Sequence, residues 1–310
     1  MSSPPKPGIY TPIPTFFKRS DGHSIDYYTQ VEHAKFLRKN GIEGLLVMGS
    51  TGEQSHLTRK ERASVVKKLH DEIPGYTLLA GVVANALQDA LDEIESLKNA
   101  GASYAVVLPS SYFGQDIKQG GIIEWYTKLA DESTLPLLIY VFPGVSNGIH
   151  VDPDTLVELS KHANIVGTKI SHGNVSHHAL VGLHEDIISG KNKFNVFTGL
   201  GQLLLPVLTV GAKGTIDALS GAFPKLYVDI FKAYESGDYD KARLLQLAAS
   251  RGEEIISKVG ILGIKRAIYE QGFGETYLGR APLSQDFPTG AWDAVVPYFE
   301  AAKAADTSSK

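Results

Sequence analysis

A lysine inside an apolar run is the side chain of this sequence with the clearest chemical use. Lys169 lies within residues 165–170, which read Ile-Val-Gly-Thr-Lys-Ile and have the composition of a buried strand. A lysine in such a run must pair with a charge, keep its amine in solvent, or lose its proton through desolvation. A neutral amine can attack a ketone and form a Schiff base, which is an electron sink for making or breaking a C–C bond. The spacing alone leaves a surface or ion-paired lysine as the other interpretation.

Two further features have the chemistry to act with that lysine. Tyr140 ends an apolar run, where a phenol can move protons, although an isolated tyrosine more often packs with its hydroxyl on the backbone. After another apolar run, Gly49, Ser50 and Thr51 offer N–H groups and hydroxyls as a compact anion site. A carboxylate fits this site better than a triphosphate, because the lysine of a phosphate-binding loop is absent. The same residue types are also ordinary turn formers.

The elements that must position these residues alternate between strand and helix. Apolar, β-branched runs of strand type cover residues 8–16, 43–48, 76–83, 104–108, 136–142, 165–170, 194–198 and 214–218. They are nearly continuous in apolar residues, which is typical of parallel strands buried on both faces. Their regular spacing of about 30 residues predicts an α/β fold, a TIM (β/α)₈ barrel, with a doubly wound sheet as the alternative. Function then collects at the carboxyl ends of the strands.

The sequence marks several helix ends. Thr58-Arg59-Lys60-Glu61 and Asn85-Ala86-Leu87-Gln88 have the spacing of reciprocal N-terminal caps. Asp152-Pro153 places a cap before a proline at the first helical position. Asn40-Gly41 and Ala100-Gly101 predict helix ends ahead of the next strands.

Helical patterns dominate beyond residue 218, over residues 225–249, 253–271 and 292–304. We therefore predict a barrel over residues 1–224 and C-terminal helices over residues 225–310, packed together as one structural unit. The apolar positions of these helices are expected to be buried against the barrel or a partner chain. These positions are Leu244, Leu245, Leu247, Ile255 and Ile256.

The composition excludes several kinds of chemistry. The chain has 310 residues and no cysteine, which rules out disulfides, thiolate metal sites, iron–sulfur clusters and cysteine nucleophiles. A net charge of −4 without a basic stripe argues against a nucleic acid partner. No apolar run is long enough to span a membrane, and residues 1–8 lack the apolar stretch of a secretory signal. We expect a cytoplasmic protein with no membrane partner.

Four ordered motifs resemble the dihydrodipicolinate synthase/N-acetylneuraminate lyase family of class I aldolases. They are Gly49-Ser50-Thr51-Gly52-Glu53, Tyr140 three residues before Pro143, Gly167-Thr168-Lys169, and Gly211-Ala212-Lys213-Gly214. The resemblance runs from Ile9 to Leu283 and so covers nearly the whole chain. It implies a TIM barrel with a C-terminal helical region, in agreement with the pattern of strands and helices.

The resemblance also implies a role for each matched residue. Lys169 forms an imine with the keto carbon of pyruvate or a pyruvate-derived acid. Tyr140 shuttles protons during imine formation and C–C cleavage, and the Thr51 hydroxyl links it to a further tyrosine. Gly49, Ser50 and Thr51 bind the pyruvate carboxylate. No cofactor is needed, because the lysine imine takes the place of a metal as electron sink.

The further tyrosine of this relay is matched by Tyr112, in Ser110-Ser111-Tyr112-Phe113. In the family, neighbouring subunits contribute this tyrosine to each other, and the family often forms homotetramers built as pairs of dimers. The spacing from Pro109 differs by one residue from some members. An interface or core aromatic is therefore the other interpretation of Tyr112.

Departures from the family pattern indicate the subfamily. Dihydrodipicolinate synthases carry an arginine that binds the carboxylate of aspartate semialdehyde, and this sequence has Val145 at that place. A valine cannot make a charge-assisted bond to a carboxylate. Ser171, two residues beyond the lysine, is more similar to the 4-hydroxy-2-oxoglutarate and 2-keto-3-deoxy acid aldolases. Ser171, with Ser146 or Asn147, is expected to contact the aldehyde half of the substrate.

The expected activity is cleavage of a 2-keto-3-deoxy or 4-hydroxy-2-keto acid to pyruvate and an aldehyde, or the reverse addition. A dihydrodipicolinate synthase with an altered acceptor site and a non-catalytic keto-acid-binding protein are alternatives. A third alternative is a metal-dependent aldolase that uses His177 or His178. Those two histidines are adjacent and would face different sides of a helix, so we expect no metal.

Overall fold

The protein, described by a computed structural model over residues 2–21 and 23–307, forms a closed barrel of eight parallel strands. Each strand pairs with the next, and β1 pairs with β8, which excludes an open doubly wound sheet. The strands are β1 (Gly8–Pro12), β2 (Gly44–Val47), β3 (Thr77–Val82), β4 (Tyr104–Val107), β5 (Leu137–Val141), β6 (Ile165–Ile170), β7 (Asn195–Thr198) and β8 (Gly214–Ile216). The predicted TIM barrel is confirmed.

Helices surround the barrel and continue beyond it. They are α1 (Tyr27–Lys39), α2 (Arg59–Glu72), α3 (Leu87–Asn99), α4 (Gln119–Glu132), α5 (Pro153–Leu159), α6 (Val175–Gly182), α7 (Glu185–Ile188), α8 (Leu204–Leu208), α9 (Pro224–Glu235), α10 (Tyr239–Glu270) and α11 (Val296–Thr307). In residues 2–21 and 23–307, none of these helices has the length and apolarity that crossing a membrane requires.

The strands bury both of their faces, which explains their continuous apolar composition. Alternate residues point to opposite sides of a strand, so β2 places Leu46 inside the barrel and Leu45 and Val47 under the helices. The interior is filled by a layer of large side chains, among them Tyr10 and Phe197, whose rings meet edge to face at 5.6 Å. This filled interior is a rigid base for side chains at the carboxyl ends of the strands.

Most of the predicted helix ends are confirmed, but two of the three predicted side-chain caps do not form. Thr58 and Glu61 form a reciprocal capping box at the start of α2. Pro153 occupies the first position of α5 and Asp152 precedes it, but the Asp152 side chain makes no capping hydrogen bond. The Asn85 prediction fails, because Ala86 precedes α3 without a side-chain cap. The Asn85 side chain instead accepts hydrogen bonds from the backbone N–H groups of Ser111 and Tyr112. It joins two loops at the end of the barrel that carries the candidate site.

The C-terminal helices have boundaries different from those predicted. The boundary at residue 224 falls on the first residue of α9, which packs against β1. The helix predicted to run from 225 to 249 is interrupted after Glu235, where Gly237 adopts a φ of 79°. No helix begins at residue 253, since α10 continues through that position. The interruption of α10 lies at Gly260, where the helix bends and φ is 64°. Both glycines adopt left-handed conformations that other residues disfavour.

The apolar face of α10 is only partly buried in a single chain. Ile255 is fully buried, and Leu245 and Ile256 are half-buried against the core. Leu244 and Leu247 are 72% and 52% exposed, so the barrel does not bury these two of the predicted apolar positions.

A segment after α10 returns to the barrel through Arg280. Its guanidinium binds the two oxygens of Glu61 at 2.6 and 3.1 Å and also donates to the backbone carbonyls of His23 and His56. Paired hydrogen bonds between a guanidinium and a carboxylate combine charge with a fixed geometry. Arg280 therefore fastens the C-terminal segment to the start of α2.

This contact makes stability depend on pH. The hydrogen bonds from Arg280 lower the pKa of Glu61 from 4.5 to about 2. A carboxyl with a lowered pKa stabilises the fold above its ordinary pKa and loses that contribution as the pH falls toward the lower value. We expect Glu61→Gln to reduce the free energy of unfolding by about 1 kcal/mol at neutral pH, allowing for solvent screening. In urea unfolding curves, the difference in free energy of unfolding between Glu61→Gln and the parent protein should be smaller at about pH 3 than at neutral pH. An equal difference at both pH values would contradict this prediction.

Candidate active site

Lys169 and Tyr140 lie side by side on neighbouring strands at the carboxyl end of the barrel. They are paired in the register of β5 and β6, and both side chains are buried. The Lys169 Nζ donates to the Tyr140 hydroxyl at 3.3 Å and lies 4.3 Å from the centre of its ring. An amine next to a phenol in a buried position can exchange a proton with it without passing through bulk water.

A bulge in β6 helps to aim the lysine. Ile165 pairs with Leu137 and Gly167 with Leu138, which leaves Val166 as the extra residue. Such a bulge changes which side chains of a strand face inward. As a result, Val166 and Lys169 both belong to the inside of the barrel, although they are three residues apart.

The loop after β2 faces Lys169 and has a tightly held shape. Met48 and Glu53 adopt positive φ angles of 62° and 52° at its two ends. Glu53 is buried, forms an ion pair with Lys265 at 2.5 Å and accepts the Arg280 N–H at 3.0 Å. Residues other than glycine hold a positive φ when their surroundings fix them. The C-terminal segment therefore supports the loop that carries Ser50 and Thr51.

Five of the predicted site residues line one cavity of about 190 Å³, namely Lys169, Tyr140, Ser50, Thr51 and Ser171. The buried Ser171 Oγ has no hydrogen-bond partner and is free to bind a ligand. Gly49 lines an adjoining cavity of about 180 Å³ that also contains Ser50 and Tyr140. A small keto acid can therefore place its carboxylate at the loop and its carbonyl carbon near the amine.

The other predicted residues lie away from this cavity or are occupied. Tyr112 is 75% exposed and stacks edge to face on Phe113. In this single chain it does not reach the site, and Thr51 is not hydrogen-bonded to Tyr140. The hydroxyl of Ser146 donates to the carbonyl of Phe142, and the Asn147 amide donates to the carbonyl of Ser111. Ser146 and Asn147 thus hold their loop rather than facing an aldehyde.

The histidines form a ring cluster without a metal-binding arrangement. His172 lies 5.0 Å from His177 and 6.2 Å from His178 between ring centres. Burial and the neighbouring histidines lower the pKa of His172 to about 4. Within the described part of the chain, no three His, Asp or Glu side chains are grouped to hold a metal ion.

Two acidic residues at this cavity are absent from the sequence prediction. Asp217 follows β8 and Glu253 lies on α10; both are buried, and their carboxyl groups contact each other. Tyr227, on α9, donates its hydroxyl to Glu253 at 2.5 Å. The sequence contained two signals for these residues: Asp217 directly follows an apolar strand, and Glu253 lies on the apolar face of a helix. Neither signal by itself indicates that the two carboxyls meet.

The space around Lys169 gives a sharp prediction at Gly199, at the end of β7. A Cβ at this position would lie 2.8 Å from the Lys169 Cε and would also collide with the Ser171 hydroxyl. Gly199→Ala should displace the amine and lower kcat about 100-fold with little loss of folding. Gly173→Ala is the matched control, because a Cβ there meets nothing within 4 Å. Equal activity of the two variants would contradict this geometry.

Comparisons with known proteins identify relatives over most of the chain. The model of the Dihydrodipicolinate synthetase family matches residues 6–286. "L-threo-3-deoxy-hexylosonate aldolase" of Hypocrea jecorina is 34% identical over 299 residues, covering 92% of this chain and 93% of that protein. "Probable 4-hydroxy-2-oxoglutarate aldolase, mitochondrial" of Emericella nidulans is 30% identical over 275 residues, covering 87% of each.

A solved structure shares the whole architecture. The dihydrodipicolinate synthase from Aquifex aeolicus superposes with a TM-score of 0.84 at 25% identity, covering 95% of this chain and 97% of that one. The lysine and tyrosine motifs, the closed barrel and these matches over most of the chain lead to one conclusion. The chain belongs to the dihydrodipicolinate synthetase family.

Proposed function

We propose that this protein cleaves a 2-keto-3-deoxy or 4-hydroxy-2-keto acid to pyruvate and an aldehyde through an imine on Lys169, or runs the reverse addition. It is a carbon–carbon lyase of the aldolase type. The observation that carries the proposal is the buried contact of 3.3 Å between the Lys169 amine and the Tyr140 hydroxyl. That contact lies in a cavity edged by the Ser50 and Thr51 loop.

The geometry supports each step of this reaction. The Lys169 amine adds to the keto carbon, and the resulting carbinolamine takes up a proton and loses water to give a protonated imine. As the hydroxyl on C4 loses its proton, the C3–C4 bond breaks, the aldehyde leaves, and the bonding pair moves to the imine to give an enamine. A proton then adds to C3, and water releases pyruvate and the free amine. Tyr140 is placed to carry the protons of these steps.

The acceptor side favours a substrate other than aspartate semialdehyde. Val145 lines the adjoining cavity with Val82 and Leu108, so this wall is apolar at the place where an arginine would bind the carboxylate of aspartate semialdehyde. Ser171, by contrast, presents an unused hydroxyl in the Lys169 cavity. A hydroxylated aldehyde can bind such a hydroxyl. The aldolase names of the two fungal relatives agree with this substrate class.

We also propose the cofactor requirement, the partners, the compartment and the oligomeric state of the enzyme. The imine supplies the electron sink, so the reaction uses neither a metal nor an organic cofactor. The partners are a keto acid and an aldehyde, without nucleic acid or membrane, in the cytoplasm. A homotetramer built as a dimer of dimers is supported by the exposed Tyr112, Leu244 and Leu247, which a partner chain would cover.

An acceptor panel tests the substrate class. With pyruvate held in excess, we expect condensation with neutral hydroxyaldehydes or glyoxylate and poor turnover of aspartate semialdehyde. Aspartate semialdehyde as the sole good acceptor would overturn the proposal in favour of dihydrodipicolinate synthesis. Loss of turnover with a chelator would indicate a metal-dependent aldolase. Saturable pyruvate binding with no turnover of any acceptor would indicate a non-catalytic keto-acid-binding protein.

A further inference from the structure

We propose that Asp217 and Glu253 together hold one negative charge that stabilises the positive nitrogen on Lys169 during catalysis. The pair acts through Lys169, so both are positioning residues rather than groups that react with substrate. This inference rests on the proposed imine chemistry of Lys169 and adds a second set of residues to it.

The geometry places the pair and the lysine on one cavity. Asp217 and Glu253 line the cavity that contains Lys169, and they are 1% and 4% exposed. Asp217 accepts the backbone N–H groups of Gly201 at 3.1 Å and of Ser220 at 3.2 Å. Gly201 leaves the space that Glu253 needs, because a Cβ there would collide with the Glu253 carboxyl. The backbone donors to Asp217 and the space left by Gly201 therefore fix the pair in the cavity lining.

Only one of the two carboxyl groups can be ionised. Burial raises the pKa of both groups, and the Asp217 charge raises the pKa of Glu253 further. Asp217 has the two backbone donors, and the positive charge of Lys169 lowers its pKa. Two contacting carboxyls in a buried site share one proton because both charges cannot be held there. Within the pair, Glu253 is therefore the weaker acid, and Asp217 is the group that ionises first.

A negative charge at this place suits an imine mechanism. The Lys169 nitrogen is neutral when it attacks the ketone, and it becomes positively charged when the carbinolamine takes up a proton and loses water to give the protonated imine. In a buried cavity that charge is costly without a partner. Asp217 compensates it and keeps the imine protonated, which is the form that withdraws electrons from the breaking C–C bond. Without the partner, the nitrogen would be protonated only at lower pH.

The titratable groups around the pair are few and can be varied one at a time. Lys169 faces it from β6, and Tyr227 contacts it from α9. Tyr227 stays neutral, because burial and the two carboxyls raise its pKa well above the ordinary value. Lys169 is the only basic side chain of this group. Removing the carboxylate charge should consequently alter the pH behaviour of Lys169 itself.

The test is reductive trapping of the pyruvate imine with cyanoborohydride across a pH series, in the full-length protein. We expect the double variant Asp217→Asn/Glu253→Gln to shift the pH range in which the imine on Lys169 is trapped, the trapping window, about one unit lower. On the alkaline side of the window, trapping should be about tenfold slower than in the parent protein. Glu253→Gln alone should keep the parent window, because Asp217 retains its charge. Asp217→Asn alone should shift less than the double variant, because Glu253 can then ionise in its place.

Tyr227→Phe serves as the structural control, since it removes a hydrogen bond from the cluster but no charge. Its window should match that of the parent protein. A double variant that melts normally and keeps the parent window would overturn the inference, as would an equal shift in Tyr227→Phe. Absence of any adduct in the parent protein would instead overturn the proposed imine chemistry on which the inference rests.

Discussion

Replacement of Lys169 by alanine should lower kcat at least about 10⁴-fold, because no other group of the cavity can form the covalent intermediate. The imine should be absent, and the pyruvate binding that is left should come only from the noncovalent contacts of the cavity. Ser50 and Thr51, which edge the cavity, stay in place in this variant. Steady-state kinetics and pyruvate binding by calorimetry measure the two effects separately.

Lys169→Arg separates the chemistry from the charge. A guanidinium keeps the positive charge beside Asp217, but it does not lose its proton and cannot act as the nucleophile. This variant should be as inactive as the alanine variant while keeping the buried charges balanced. Turnover by either variant within tenfold of the parent rate would contradict a role for Lys169 as the nucleophile.

Tyr140→Phe should lower kcat by about 10² to 10³-fold through loss of proton transfer. The ring that lies 4.3 Å from the lysine amine is retained, so the shape of the cavity changes little. An imine on Lys169 should still form, but slowly, and KM for the keto acid should change less than kcat. Single-turnover measurements of imine formation and of C–C cleavage distinguish the two steps.

A matched control for this substitution is Tyr126→Phe. Tyr126 is fully buried and donates its hydroxyl to the backbone carbonyl of Val107 at 2.8 Å, away from the cavity. It has the same chemistry and burial but no contact with Lys169. Removal of its hydroxyl should affect stability and leave kcat unchanged. Equal losses of kcat in the two variants would show that Tyr140 has only a packing role.

The barrel could be predicted because its elements are encoded locally. The apolar runs, the cap at Thr58 and the helix start at Pro153 depend on neighbours in the sequence, and each lies at the predicted place, although the first strand ends at Pro12 and not at residue 16. The predictions failed where a local sequence pattern was compatible with more than one structure. Asn85 is a good cap residue that binds another loop instead, and the run from 225 to 271 permits several divisions into helices.

The site could be predicted in part for the same reason. Lys169 and Tyr140 close adjacent strands, so a parallel barrel brings them together without further information. The bulge at Val166 and the meeting of Asp217 with Glu253 depend on tertiary packing between distant segments. Local sequence contains no record of such contacts. The exposure of Leu244 and Tyr112 likewise depends on how the whole chain packs.

The most direct measurement is borohydride reduction of the protein with pyruvate, followed by mass spectrometry of its peptides. We expect a reduced pyruvyl adduct on Lys169 and none in Lys169→Ala. An adduct confined to another lysine would contradict the assignment of the site. No adduct at all, in a protein whose turnover continues and is abolished by a chelator, would contradict the imine mechanism itself.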